Sequence, residues 1–290
     1  MQIVTDSGTD VDLVTGELED LNIHIVPLIV TLEGVTYREG VDIEPEAFYR
    51  HLDASTSLPV TSQPSPGDIA ALYRKLAVTD PDILSIHMSS GLSGTLNSAR
   101  AAAQMVPEAR VTLVDTRTLS SPAGWQVAAA ARAIRAGWPL ERVLEMLGRV
   151  RAATETVFTL KDLTYLIHGG RIGHMKGLIA SLLNIKPIIG VEKTHGTYTQ
   201  LGQARTFSGA IKALVELIGR HHAPGSALQA QVVYANDPEA GAMLRDAVDQ
   251  RYRCTWLPMG PLSLVLGAHT GPSMIGVGVA PLSTFVGVPE

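Results

Sequence analysis

Short apolar runs alternate with stretches of helical period through the first half of the chain, the order expected of a parallel sheet with crossover helices. Strands are predicted at residues 3–5, 24–30, 83–88 and 111–114, and Asp10 and Asp12 are placed to cap a segment that leads to Leu21. Val35 and Tyr37, alternating between Gly34 and Gly40, predict a hairpin excursion. Glu44-Pro45-Glu46 has the acidic, proline-started form of a helix opening. Helices are predicted over about 67–76 and 95–105, each following a loop dense in hydroxyls, glycine or proline: Thr61-Ser62-Gln63-Pro64-Ser65-Pro66 and Ser89-Ser90-Gly91-Leu92-Ser93-Gly94-Thr95. An alanine-rich helix is expected at 123–136, closed by Gly137 and Pro139, and another at 140–151.

The pattern changes at 154–159, where a strand-rich stretch begins, so a domain boundary is placed near Ala152 and Ala153. Beyond it come a glycine-rich loop, a short helix, strands at 185–191 and 198–203, a helix at 207–221, a strand at 231–234, a helix at 239–250 and a strand at 255–259. The fold class expected is α/β in two domains: residues 1–153 as a parallel-sheet N-terminal lobe and 154–290 as an α+β C-terminal lobe. No Lys, Arg, Asp or Glu occurs between Arg253 and Glu290, but Gly260, Pro261, Gly267, Gly271, Pro272, Gly276, Gly278 and Pro281 interrupt any spanning helix. Buried strands and tight loops are predicted there instead.

Length supports the two-domain expectation, since 290 residues exceed a typical single core. The charged fraction of 18% is low against roughly 25% for soluble domains, and the mean hydropathy of +0.17 describes a rather apolar globular chain. A net charge of -5 offers no basic excess for a phosphate backbone, which argues against nucleic acid as a partner. The single cysteine, Cys254, suits a reducing compartment and reads as a small apolar residue in a strand. Gln2-Ile3-Val4-Thr5 is strand-like and follows no basic, then apolar, leader, so no signal peptide is read and a cytoplasmic location is expected.

Candidate chemistry lies in the two hydroxyl-rich loops, which aim hydroxyls and backbone N–H groups at the start of a helix, as anion receptors do. Ser93, flanked by Gly91 and Gly94, is open to close approach, and Thr61 stands beside the rigid Pro64 and Pro66. Gly91-Leu92-Ser93-Gly94-Thr95 comes near the nucleophile elbow of acyl hydrolases. Thr95 replaces its last glycine, and no acid–histidine relay is placed beside Ser93 by the sequence. In the second half, His168-Gly169-Gly170-Arg171-Ile172-Gly173-His174-Met175-Lys176-Gly177 joins positive charge to glycine-rich backbone, so Arg171 and Lys176 are candidates to meet a phosphate or an acidic surface. His168, His174, His221 and His222 lack the partners of a metal set, so no metal is expected. No nucleotide-binding glycine motif follows a suitable strand, and no cofactor is expected.

Taken in order, Val4-Thr5-Asp6-Ser7, the 61–66 and 89–95 loops, Val114-Asp115-Thr116, Asp162-Leu163-Thr164-Tyr165-Leu166 running into Gly169-Gly170-Arg171-Ile172, Leu183-Asn184-Ile185-Lys186-Pro187 and His269-Thr270-Gly271-Pro272 resemble the DegV family nearly end to end. Two positions depart from its usual pattern: Ser273 stands where the family has a final glycine, and Thr116 where it often has serine. The resemblance implies a long-chain fatty acid between the two lobes, its carboxylate held by Thr61, Ser62, Ser93 and His269. It also implies a non-catalytic subunit that presents the carboxylate to a separate ATP-binding fatty acid kinase for acyl-phosphate formation and phospholipid synthesis, with Arg171 and Arg205 toward that partner or the phosphate. The rival expectations are a serine acyl hydrolase using Ser93 and a protein that binds a phosphorylated small molecule. Burying an acyl tail supplies about 0.8 kcal/mol per methylene, on the order of 10 kcal/mol for a palmitate-like chain. The head group then needs only orientation and hydrogen bonds.

Overall fold

The computed structural model describes residues 1–175 and 185–289. In chain order the first half runs β1 (Gln2–Asp6), α1 (Val11–Val14), β2 (Ile23–Val26), β3 (Ile29–Leu32), β4 (Val35–Arg38), α2 (Pro45–Ala54), β5 (Val60–Ser62), α3 (Pro66–Ala77), β6 (Asp82–His87), α4 (Thr95–Gln104), β7 (Arg110–Asp115), α5 (Ser120–Arg135) and α6 (Leu140–Ala153). Strands β2, β1, β6 and β7 form a parallel sheet in that order. Alternation along its strands divides the packing: Ile3, Leu84 and Ile86 meet Val127, Ala130, Val143 and Val150 of α5 and α6, whereas Val4 and Ile83 meet Ile69, Tyr73, Ala99 and Ala102 of α3 and α4. Both faces are covered, which is why these strands read as short apolar runs.

The second half runs β8 (Glu155–Thr159), α7 (Thr164–Gly169), β9 (Lys186–Val191), β10 (Tyr198–Ala204), α8 (Phe207–Ile218), β11 (Ala227–Tyr234), α9 (Pro238–Asp249), β12 (Arg253–Trp256), β13 (Gly260–Pro261), α10 (Leu264–Thr270) and β14 (Ile275–Pro281). Its sheet has the order β10-β9-β8-β14-β11-β12, with β13 also on β11, and is mixed: β14 is antiparallel to β8 and β11, while β12 and β13 are parallel to β11. Among the described residues no helix is long and apolar enough to cross a membrane.

Four local expectations need correction. The strand predicted across 24–30 is two, because Pro27 has no N–H for the ladder: β2 stays in the parallel sheet, and β3 pairs antiparallel with β4 and β5. The Thr61-Ser62 segment, taken as loop, is the edge strand β5, in which Thr61 pairs with Val30. Asp10 and Asp12 cap no helix to Leu21. α1 ends at Val14, and Asp10 takes φ 47° with its carboxylate turned away to Ser120 and Ser263. In the uncharged C-terminal stretch β14 is a buried strand, but α10 is a helix buried along its whole length, so no polar face betrays its period.

Leu28, Val30, Phe48, Tyr49, Met88 and Leu92 of the first half share one core cluster with Phe158, Leu160, Leu166, Tyr198, Leu264 and Leu266 of the second. At its border two buried carboxyls grip the start of α10. The Ser263 N–H donates to Asp10 Oδ1 at 3.0 Å, the Ser263 hydroxyl to Glu39 Oε2 at 3.0 Å, and the Leu264 N–H to Glu39 Oε1. Burial pushes the Glu39 carboxyl up to about 7 and Asp10 well above its ordinary value.

A carboxyl raised in the fold penalises the native state as it ionises. The stability Glu39 contributes is therefore present at pH 4.5 and lost as pH rises through 7. Glu39→Gln is expected to gain roughly 3 kcal/mol on wild type between pH 4.5 and pH 8 in urea unfolding. Parallel stability profiles for the two proteins would contradict this.

Candidate functional site

A cavity of about 310 Å³ opens where the halves meet, lined by Leu28, Thr61, Ser62, Gln63, Met88, Leu92, Ser93, Arg171, Tyr198, Val265, Leu266 and His269. Among the described residues the polar members come from five places in the chain, β10 supplying Tyr198. Edge strand β5 and the residue after it supply Thr61, Ser62 and Gln63; the turn before α4 supplies Ser93; the turn after α7 supplies Arg171; α10 supplies His269. Leu28, Met88, Leu92, Val265 and Leu266 form the apolar side, continuous with the shared core.

Thr61 Oγ1 and His269 Nε2 lie 2.7 Å apart and form the contact that closes the polar side. Burial is the main reason that the His269 pKa falls to about 4, with the nearby Arg171 guanidinium adding to it. The ring is therefore neutral near pH 7 and carries one proton, which either nitrogen can hold. Nδ1 is buried without a hydrogen-bond partner among the described residues. Gly169 lies against it so closely that a Cβ at 169 would fall 2.2 Å from Nδ1.

The Ser93 turn is set by backbone bonds, since the Leu92 and Ser93 N–H groups both donate to Ser89 O, at 3.1 and 3.0 Å. Ser93 Oγ lies 2.8 Å from Thr95 Oγ1. Gly94 makes room for Gln63: a Cβ there would fall 1.8 Å from Gln63 Oε1, and the Gln63 amide continues past it to donate to Ser98 Oγ at 3.0 Å. Two loops far apart in sequence thus interlock through one side-chain amide and one missing methyl. Arg171 ties in the second half, its Nε donating to Leu92 O at 3.2 Å and Nη1 to Gly169 O at 2.6 Å. The Ser89 hydroxyl reaches across to Gly196 O at 2.8 Å.

Thr61, Ser62, Ser93, Arg171 and His269 are thus brought together on one cavity. Arg205 is exposed just past β10 and does not line it. Lys176 and Gly177, together with Leu183 and Asn184, fall outside the described residues. Gln63, Tyr198 and the apolar wall were not singled out from sequence; only the position of Gln63 inside the 61–66 motif hinted at it. Ser273, the departure from the usual motif, accepts from the Lys161 N–H at 2.9 Å. His174 Nε2 pairs with Tyr198 O at 2.8 Å, and no group of three or more metal-ligating side chains converges among the described residues.

An Asp–His–Ser relay does exist, but elsewhere. Asp6 Oδ2 and His87 Nδ1 lie 2.8 Å apart, and His87 Nε2 lies 2.8 Å from Ser85 Oγ. Ser85 is in turn 2.7 Å from the Tyr73 hydroxyl, and all of these residues are buried inside the parallel-sheet core. The relay fixes β1 to β6 and does not reach Ser93. The cavity therefore offers hydroxyls, an amide, a neutral imidazole and one guanidinium above an apolar wall, equipment for fixing an anionic group with a hydrophobic body.

The family model described as "Uncharacterised protein, DegV family" matches residues 1–282. A DegV domain-containing protein of Staphylococcus aureus is 34% identical over 279 residues, spanning 95% of this chain and 96% of its own. Another, from Deinococcus radiodurans, is 33% identical over 279 residues, with 96% and 95% covered. Among solved structures, a DegV family protein of Thermus thermophilus described by its fatty acid binding is 33% identical, with TM-score 0.84 over 97% of this chain and 99% of its own. The fatty acid binding protein DegV of Bacillus subtilis is 29% identical, with TM-score 0.86 over 97% and 98%.

Because Gly169 sits against the imidazole, Gly169→Ala must displace His269 from its buried position beside Thr61. Histidine NMR titration is expected to show the His269 pKa rising from about 4 toward its ordinary 6.5. An unmoved titration in the folded variant would show that the ring is not held by this contact.

Proposed function

The chain belongs to the DegV family, and on that premise we propose that it binds one long-chain fatty acid between its two lobes, residues 1–153 and 154–290, with the carboxylate in the polar cavity. The convergence of Thr61, Ser62, Ser93 and His269 on a cavity backed by apolar residues carries the proposal. Relatives of similar fold described as fatty acid binding proteins support it. With its proton on Nε2, His269 donates to Thr61 Oγ1 and leaves the Thr61 hydroxyl proton for the carboxylate. Ser93 donates a second proton, and the Ser62 backbone lies beside them. Neutral donors orient an ionised head group at low desolvation cost, while the tail supplies most of the affinity, on the order of 10 kcal/mol before binding costs for a palmitate-length chain.

The chain performs no chemistry on the lipid in this account. The Ser93 hydroxyl is paired with Thr95 instead of a histidine base, which disfavours the hydrolase. It presents the carboxylate, in the cytoplasm, to a separate ATP-dependent kinase that forms acyl-phosphate. Arg171, whose guanidinium borders the cavity, faces the transferred phosphate, and the exposed Arg205 meets the partner surface.

Protein purified from cells is expected to release long-chain fatty acid on denaturation, detected by mass spectrometry. Lipid-free protein that takes up neither labelled palmitate nor oleate would contradict the proposal. Thr61→Ala combined with Ser93→Ala is expected to keep the fold and weaken palmitate binding by about tenfold or more, as loss of hydrogen bonds to a charged group does. Affinity equal to wild type would remove the roles given to both hydroxyls.

A further inference from the structure

We propose that Glu39 is a positioning residue for the head-group cavity, setting the start of α10 so that His269, at the far end of that helix, meets Thr61. The inference rests on the reading of the cavity given above, but its geometry is separate from the cavity itself.

The peptides preceding and opening α10 are gripped by side chains of the first half. Glu39 Oε1 accepts from the Leu264 N–H, and Glu39 Oε2 accepts from the Ser263 hydroxyl at 3.0 Å. Asp10 Oδ1 accepts from the Ser263 N–H at 3.0 Å, and the Tyr49 hydroxyl donates to Leu262 O at 3.0 Å. The helix runs only from Leu264 to Thr270, so His269 stands roughly 7.5 Å along the axis from Leu264. A segment this short has no length over which to absorb an error at its start. It cannot slide either, because Gly267 lies where a Cβ would fall 2.1 Å from the Tyr49 hydroxyl oxygen.

Glu39 also governs the opposite wall. Its Oε2 accepts from the Ser7 hydroxyl at 2.6 Å, and the same Ser7 oxygen accepts from the N–H of Leu28 at 3.0 Å, a residue that lines the cavity. One carboxyl thus registers the imidazole on one side and an apolar wall residue on the other. The neighbouring carboxyls are Asp10 and Asp12, and Glu39 has no cationic partner among the described residues. Three donors hold the two carboxyl oxygens in one position, so Glu39 fixes the segments that donate them relative to one another.

The test uses the whole protein with histidine ring NMR and with binding of palmitate and of hexadecanol, which has the same tail and no carboxylate. Glu39→Ala is expected to move the His269 ring signals in the ligand-free protein and to lower the preference for palmitate over hexadecanol at least fivefold. Glu39→Gln, which keeps the shape and can accept from Leu264, is expected to restore both within twofold. A folded Glu39→Ala protein with unchanged His269 signals and unchanged preference overturns the proposal. Should Glu39→Ala fail to fold, Ser263→Ala removes one bond of the grip. It is expected to shift the same signals with a two- to threefold loss of preference, and unshifted signals there overturn the proposal equally. Wild type that does not prefer palmitate removes the fatty-acid reading, while the His269 signals still decide the positioning role.

Discussion

The hydrogen bond between Thr61 and His269 joins residues 208 positions apart, and the cavity keeps its form only as long as the elements carrying them are held from behind. Thr61 sits on β5, an edge strand of three residues that among the described residues pairs with β3 alone. His269 sits on a seven-residue helix too short to stand alone in water. Each borrows rigidity from tertiary contacts: β5 from the Val30 pairing and the core beneath it, α10 from Tyr49, Asp10 and Glu39. The site is thus a property of the junction between halves, and Gly91 against His195, Gly196 against Ser89 and Gly267 against Tyr49 are among the places where the halves come too close for a methyl group.

Electrostatics at the junction follow from burial more than from charge pairing. The His269 pKa is driven down to about 4 and that of Glu39 up to about 7, each by loss of water around the charged form. Their effects on stability run in opposite directions. Glu39 loses stability as pH rises toward 7, whereas His269, depressed in the fold, loses it as pH falls from 6.5 toward 4. No carboxylate lines the cavity among the described residues, so a neutral imidazole beside neutral hydroxyls can take a ligand's negative charge, with the Arg171 guanidinium nearby.

Much of this was legible in the sequence, for physical reasons that differ by element. The parallel sheet follows from its apolar runs, because both of its faces are packed; α3, α4 and α6 follow from their period, because one side of each is wet, and α5, buried almost all round, from its alanine run. Thr61, Ser62, Ser93, Arg171 and His269 were singled out as one ordered set of motifs, and the fold brings them to one cavity. Asp10, before an apolar stretch, has the local form of a helix cap, while its actual partner, Ser263, lies 253 residues away. The same holds for Glu39, whose binding of Leu264 no local pattern announces. α10 is hidden because its seven buried residues are too few to show a period and lack the alanine run that marks α5, and Gln63 and Tyr198 enter the cavity only through contacts between distant segments.

In the proposed complex a carboxylate is fixed by Thr61, Ser93 and His269 inside this junction. The carboxyl carbon resonance of palmitate labelled with carbon-13 at that atom reports its surroundings most directly. One signal distinct from free fatty acid is expected, in slow exchange, unmoved by bulk pH between 5.5 and 8 and displaced in Thr61→Ala protein. A signal that titrates as a solvent-exposed carboxyl does, and is indifferent to Thr61, would contradict it.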